Sequence, residues 1–375
     1  MSPAIIDVRK AEDPRDAIHR AVQALVEGRV VAFPTETVYG LAASALNEEG
    51  VTRLLDMKSR QTGHPLTMAI KSAEEAFDYV PGATPLARRL AHRCWPGPVT
   101  LVMDDQHPES LLQRLPEKVQ KAVSPSGTIG LRVPGHALIL DVLHLLAGPL
   151  VLSSANRGGE PDSVTAQEVA NAMGEDVGLI LDDGPCQFGQ SSTVVRVNDS
   201  GLEVLREGVV TDDTLKRLTS YMMILVCTGN TCRSPMAEQM CKKRIAEKLG
   251  CEIEQLEDRG VIVMSAGISA GHGGSAAHEA QTIMQEMNLD LSQHASQPLS
   301  DRLARHADLI LTMTRGHHQA IVNHWPSLAG KVHVLCPGGH DVADPIGGST
   351  KVYRSCAEEI DGYLAKRVDE IDFEN

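Results

Sequence analysis

The chain has 375 residues, 42% of them hydrophobic and 22% charged, the balance of a soluble globular protein with room for two domains. Its net charge of −14 divides into −8 through Tyr221 (21 basic, 29 acidic) and −6 beyond it (14 basic, 20 acidic), so neither half has the basic excess of a dedicated nucleic-acid binder. The N-terminus lacks the pattern of a signal peptide, and the most apolar region, 136–154, is broken by Asp141, His144 and Pro149; the expectation is a cytoplasmic protein without a membrane partner.

Asp13-Pro14 and the amphipathic run up to Gly28 predict a capped helix that stops at glycine. A strand over 29–33 then delivers Pro34-Thr-Glu-Thr-Val-Tyr-Gly-Leu41 at its end. Helices are expected over 48–57, 85–94, 136–146 and 165–173. Strands are expected over 66–70, 99–103, 128–133 and 150–153, with two more at 193–197 and 203–206, which together make a mixed α/β domain. Neither Gly-x4-Gly-Lys-Ser/Thr nor Gly-x-Gly-x-x-Gly occurs, so spacing alone announces no nucleotide. Thr37, Lys58, Arg60, Arg132, Ser154 and Asn156 fall at strand ends, where α/β domains gather ligands, although ordinary caps and turns also use such residues.

These groups sit in recognisable motifs: Pro34 to Leu41, Lys58-Ser-Arg60 with Pro65-Leu66, Trp95-Pro-Gly-Pro98, Thr128-Ile-Gly-Leu-Arg-Val-Pro134 and Ser154-Ala-Asn156. From about Val22 to Gly208 the chain resembles the YrdC/TsaC-type threonylcarbamoyl-AMP synthases. The resemblance implies an enzyme that uses ATP, bicarbonate and L-threonine, with Mg²⁺, to make threonylcarbamoyl-AMP for tRNA modification, and transient contact with tRNA or its modification enzymes. By the same resemblance Lys58, Arg60, His64, Thr128, Ser154, Asn156 and Arg206 would hold ATP, and Thr37, Arg132 and Ser192 would hold threonine. Arg132 is expected to take the threonine carboxylate as a bidentate fork. The sequence departs from the family pattern at Gln61, His64, Ala69 and Glu207, at Asp162, where serine is usual, and at Ser191, where glutamate is usual.

A last helix of this domain is expected over 211–220, and the chain then continues with almost no linker, which divides it into domains 1–220 and 221–375. A buried strand over 222–226 leads into Cys227-Thr-Gly-Asn-Thr-Cys-Arg-Ser-Pro235 and a helix start. Cys-x5-Arg between a strand and a helix wraps backbone N–H groups around an anion and favours the thiolate of Cys227 as a nucleophile. Arg233 offers a planar fork for phosphoryl oxygens, and Ser234 a hydrogen bond to sulfur. Helices over 236–249, 275–287 and 352–368 alternate with strands over 261–266, 309–313 and 332–335, which predicts a doubly wound parallel sheet.

The loop, with Thr228, Gly229, Asn230, Thr231, Cys232 and Ser234 in register, resembles the signature of the low-molecular-weight protein phosphatases. That resemblance implies Asp344, in Asp344-Pro-Ile-Gly-Gly-Ser349, as general acid. Thr231, and the absence of aromatics after Asp344-Pro345, resemble the protein-arginine phosphatase branch and favour phosphoarginine in a phosphorylated protein. The alternative is a phosphotyrosine phosphatase whose first domain serves as an RNA- or nucleotide-binding module. Arsenate reductases share the loop but need a further close pair of cysteines, which Cys241, Cys251, Cys336 and Cys356 do not form. Cys232 is a candidate disulfide partner of Cys227 under oxidation. No Cys-x2-Cys and no His-Glu-x-x-His occurs, so no metal site is expected, and His317, His318, His324, His333 and His340 read as solvated or core residues.

Overall fold

The computed structural model describes residues 3–58, 65–174, 176–371 and 373, and the chain divides into two compact units, Met1–Leu215 and Lys216–Asn375. No helix among the described residues is long and apolar enough to cross a membrane.

Among its described residues the first unit holds ten strands: β1 (Ala4–Asp7), β2 (Val31–Phe33), β3 (Gly40–Ser44), β4 (Thr67–Ala69), β5 (Val99–Asp104), β6 (Thr128–Arg132), β7 (Leu150–Ser154), β8 (Leu179–Asp182), β9 (Thr193–Asn198) and β10 (Gly201–Arg206). They form one mixed sheet in the order β1-β8-β2-β3-β7-β4-β6-β5-β9-β10. Its first helix, Pro14–Val26, starts where the Asp13 side chain accepts the Arg15 N–H, and the left-handed Gly28 (φ 74°) follows its end. Ala17, Ala21, Ala24 and Leu25 of this helix pack with Phe33 of β2 and with Ile139 and Val142 of the helix Ala137–Leu145. The strands β1, β3 and β8 are absent from the sequence expectations. Gly40-Leu-Ala-Ala-Ser44 is buried at every residue, and a strand covered on both faces has no alternation for the eye to find.

The described residues of the second unit carry four parallel strands, β11 (Tyr221–Cys227), β12 (Val261–Gly267), β13 (Leu309–Thr312) and β14 (Val332–Val334), in the order β12-β11-β13-β14. Alternate residues of β11 feed two cores. Met223 and Leu225 pack against Met236 and Met240 of the helix Arg233–Leu249 and against Tyr353 and Ile360 of the closing helix Thr350–Asp369. Ile224 and Val226 face Ala304, Ile310, Ile321 and Leu328 on the other side. Both layers flank a parallel sheet, the doubly wound arrangement expected. Because β12 and β13 lie on opposite sides of β11, the connections diverge at its carboxyl end, where Cys227 stands in register with Gly267.

Candidate functional sites

In the first unit Arg132 ends β6 and is 7% exposed. Its Nε donates to the Gly97 carbonyl at 3.2 Å, and its Nη2 donates to Glu36 Oε1 at 2.7 Å and to Thr37 Oγ1 at 3.0 Å. Only Nη1 is left without a partner among the described residues, so the two-nitrogen fork expected for a carboxylate is not open; Glu36 occupies it. Thr37 is fixed in turn by Thr35, whose Oγ1 accepts the N–H groups of Thr37 and Val38 and lies 2.8 Å from Thr37 Oγ1. This tight turn is why Pro34-Thr-Glu-Thr37 can bury three polar side chains without a regular element.

A second cluster forms where the helix Glu48–Lys58 ends. Lys58 Nζ donates to the Asn156 carbonyl at 2.6 Å and to Asn156 Oδ1 at 2.9 Å, and Ser154 Oγ donates to the same Oδ1 at 2.6 Å. In a third, Arg206 of β10 donates through Nη2 to the carbonyl and hydroxyl oxygens of Ser192 at 2.8 and 3.1 Å, and Ser192 Oγ lies 3.1 Å from Thr100 Oγ1. Burial lowers the pKa of both Lys58 and Arg206, and the Asp162 carboxylate opposes the shift in each. Asp162 itself accepts a hydrogen bond from Ser191, so two residues that depart from the family pattern meet each other. Thr128 opens β6 opposite Asp104 and is tied to none of the other expected groups among the described residues; Arg60 and His64 lie outside them.

In the second unit Cys227 is 3% exposed at the end of β11. Its Sγ lies 3.0 Å from Ser234 Oγ and accepts the Asn230 N–H at 3.3 Å. Asn230 adopts a left-handed conformation (φ 55°) that aims its N–H inward, and its side chain secures the bend. Nδ2 donates to Ser234 Oγ at 3.0 Å and Ser265 Oγ at 2.9 Å, while Oδ1 accepts the Gln297 N–H at 2.9 Å. His294 Nε2 donates to the Asn230 carbonyl at 2.7 Å, and Ser265 Oγ donates to Glu238 Oε2 at 2.6 Å. Arg233, 4% exposed in the first turn of the following helix, donates to the Val342 carbonyl at 3.1 Å and is ion-paired with Asp344.

Thr228 Oγ1 lies 2.9 Å from His317 Nε2. Thr231 Oγ1 lies 3.7 Å from Cys232 Sγ, and the Cys232 thiol meets Tyr353 Oη at 3.2 Å. Gly229 is half-buried beside the Thr231 hydroxyl. All eight cysteines are free. One loop thus carries a buried thiol with N–H and O–H donors to it and a guanidinium paired with an exposed carboxylate, the parts needed for nucleophilic displacement at phosphorus.

Sequence reasoning missed the residues that support the loop from outside, Ser265, Gly267, His294 and Gln297, and also Glu36 and His317. Gly267 had a signal, being a glycine at the end of a strand: a Cβ there would stand 2.5 Å from the Thr228 carbonyl oxygen. Among the described residues no group of three His, Cys, Asp or Glu side chains is arranged to hold a metal ion.

Residues 23–208 match the family model described as Sua5_yciO_yrdC, telomere recombination, and residues 222–374 match that of the low molecular weight phosphotyrosine protein phosphatases. The chain is similar to the threonylcarbamoyl-AMP synthase of Bacillus subtilis (strain 168), 32% identical over 212 residues that cover 56% of this chain and 58% of that protein. It is similar to the one of Mus musculus at 31% over 223 residues, covering 57% and 75%. It thus spans little more than half the length, 58% and 56%, of the first two curated relatives it matches. Among solved structures it is similar to the YwlE arginine phosphatase from Geobacillus stearothermophilus, with 32% identity, TM-score 0.35, and 40% of this chain and 92% of that one covered. It is similar to the low molecular weight protein tyrosine phosphatase from T. tengcongensis with 33% identity, TM-score 0.37, and 40% and 100% covered.

Proposed function

We propose two activities from one premise: the chain belongs to the threonylcarbamoyl-AMP synthase family, and its second unit is a low-molecular-weight phosphatase domain. The first domain, which we take as 1–220, makes threonylcarbamoyl-AMP from ATP, bicarbonate and L-threonine in the cytoplasm. The free amine of threonine condenses with bicarbonate, losing water, to give a carbamate; a carbamate oxygen then attacks the α-phosphorus of ATP, and pyrophosphate leaves. The observation that supports this reading is the buried pair of Arg132 and Thr37 in the same unit as the Lys58–Asn156 contact: one fixed cation for an amino-acid carboxylate, another beside Ser154 for a polyphosphate. Ser192 links the threonine and ATP groups through Arg206, and Arg60, His64 and Thr128 complete the ATP set. Mg²⁺ enters as its complex with ATP and shares the charge of the phosphates. The product serves tRNA modification, through transient contact with tRNA or its enzymes. Threonine-dependent pyrophosphate release tests the synthase; intact ATP binding without that release would leave the domain as a nucleotide-binding module.

The second domain, 221–375, is a cysteine-dependent protein phosphatase. Cys227 attacks phosphorus, Arg233 holds the equatorial oxygens, and Asp344 gives a proton to the departing group. The phosphocysteine is then hydrolysed by water that Asp344 deprotonates, with Ser234 easing release of the thiolate. What carries this reading is the convergence of Asn230 N–H and Ser234 Oγ on Cys227 Sγ. The substrate we favour is phosphoarginine. Thr231 puts a hydroxyl on the loop, and residues 346–349, Ile-Gly-Gly-Ser, supply no ring to clasp a phenol; Ile346 stands 71% exposed. Phosphate release from paired phosphoarginine and phosphotyrosine peptides is the test. Wild type is expected to prefer phosphoarginine and Thr231→Ile to move the preference toward phosphotyrosine; a wild type faster on phosphotyrosine overturns the assignment.

A further inference from the structure

Glu36 lies in the segment between β2 and β3 as a carboxylate almost wholly out of water, with a side chain 5% exposed against the 8% of its ion partner Arg132. A buried ion pair is tolerated when its remaining lone pairs and protons are met. Oε1 is met by Arg132 Nη2 at 2.7 Å, but Oε2 has no hydrogen-bond partner among the described residues. The backbone on which the carboxylate rides is fixed, because the Glu36 carbonyl accepts the Phe188 N–H at 2.9 Å. The wall on one side is a glycine: a Cβ at Gly135 would lie 3.1 Å from Glu36 Cδ and 3.3 Å from Oε1. On the other partner, Arg132, the unpaired group is Nη1, the donors on Nε and Nη2 being spent on Gly97, Glu36 and Thr37. One unfilled acceptor and one unfilled donor nitrogen therefore belong to the same ion pair.

Charge decides what such a pair accepts. Arg132 and Glu36 sum to zero, and the threonines beside them are neutral. A simple carboxylate that binds there leaves a buried net negative charge, which is costly. A zwitterion leaves none. From this we propose that Glu36 reads the amino group of the substrate: the amino-acid carboxylate is held by Arg132 Nη1 and an amino N–H by Glu36 Oε2, so that the site selects an α-amino acid over the corresponding hydroxy acid without nitrogen. The inference rests on the synthase reading and adds a residue to it. It is consistent with the chemistry, because the nitrogen keeps one N–H after it becomes a carbamate, and the contact to Oε2 persists into the product. Glu36 also acts through Arg132, whose Nη2 it holds away from the substrate.

The test compares L-threonine with 3-hydroxybutanoate, its analogue lacking the amino group, in the full-length protein. In the wild type threonine supports pyrophosphate release and 3-hydroxybutanoate competes poorly. Glu36→Gln keeps the shape and an oxygen for Arg132 but removes the charge. It is expected to raise the KM for threonine about tenfold or more, the worth of one charge-assisted hydrogen bond, with the KM for ATP within about twofold. It is also expected to make 3-hydroxybutanoate a better competitor, since Arg132 is then uncompensated. Gly135→Ala, which presses a methyl group on the same carboxylate, is expected to shift the threonine-to-analogue ratio in the same direction by less, and carries the test if Glu36→Gln does not fold. An unchanged ratio in a folded variant, or a fall in kcat with both KM values untouched, overturns the proposal. Failure of the wild type to release pyrophosphate with threonine would instead overturn the synthase reading, and the two failures are distinguishable.

Discussion

In the second unit, the groups that touch Cys227 come from eight consecutive residues, 227–234, and Asp344 is brought to Arg233 from a distant loop. In the first, Thr37 and Arg132, Lys58 and Asn156, and Ser192 and Arg206 arrive from six separate places in the chain and are joined pairwise, side chain to side chain. The first pattern is built on backbone: Asn230 offers its N–H whatever its neighbours carry, and the helix behind Arg233 adds its dipole. The second is built on charge, with cations partly or wholly desolvated and one carboxylate, Asp162, acting on two of them. A local loop fails when its nucleophile or its bend is removed. A dispersed set fails one pair at a time.

The sharpest way to break this comparison is to ask whether the two sites are independent. Cys227→Ser is expected to lower phosphate release by about 10⁴-fold or more, as loss of a covalent nucleophile does, and to leave threonine-dependent pyrophosphate release unchanged. Lys58→Ala is the converse: pyrophosphate release is expected to fall about 10²- to 10³-fold, the scale of one lost electrostatic contact to a reacting phosphate, with phosphate release intact. Both rates are measured on the same preparation. A fall in the untouched activity would show that the units are coupled and would sink the description of two self-sufficient sites.

Gly267→Ala asks how local the loop is. The added Cβ would meet the Thr228 carbonyl oxygen at 2.5 Å and the Asn230 nitrogen at 3.0 Å, both backbone atoms that cannot swing aside. The expected cost is about 1–3 kcal/mol of stability, as for other overpacked positions, with a lower rate of phosphate release. Denaturant melts and steady-state rates of the one variant check it. If both remain at wild-type values, the loop tolerates displacement by its neighbouring strand and is more self-contained than its contacts imply.

The same contrast governs what could be read from sequence. Cys227 to Pro235 spelled its chemistry because donors and nucleophile are contiguous, and the alternating cores on either side of β11 follow from an apolar strand between helices. Gly40 to Ser44 was silent, since a strand buried on both faces carries no period. Lys58, Ser154 and Asn156 were named from motifs, but not their mutual bonds. That Glu36 closes the fork of Arg132 was invisible, because a glutamate between two threonines reads as a turn until the fold sets the Arg132 side chain against it. Asp162 and Ser191 looked like two separate departures; their hydrogen bond makes them one change, with the carboxylate on the opposite side.

The smallest effect belongs to His317, which was read as a bystander and touches the loop. The residue is 6% exposed, Nε2 lies 2.9 Å from Thr228 Oγ1, and Nδ1 has no partner among the described residues. Burial, and then the nearby Arg233 guanidinium, hold its pKa below the ordinary value of 6.5, while the carboxylates of Asp344 and Asp341 pull the other way. A histidine whose pKa is lowered by folding is neutral in both states above about pH 6.5 and contributes no pH dependence there. Below that value the unfolded chain takes up the proton more readily, so stability falls as pH drops from about 6.5 through the folded pKa. The slope is expected in the heat resistance of phosphatase activity, assayed at one fixed pH after incubation across pH 7 to 5. His317→Gln, which keeps a hydrogen-bonding group near Thr228 without a titration, is expected to flatten it. Activity that survives acid incubation equally in both proteins would mean that the imidazole is protonated in the fold at little cost, and that the unpartnered Nδ1 is supplied with an acceptor in solution.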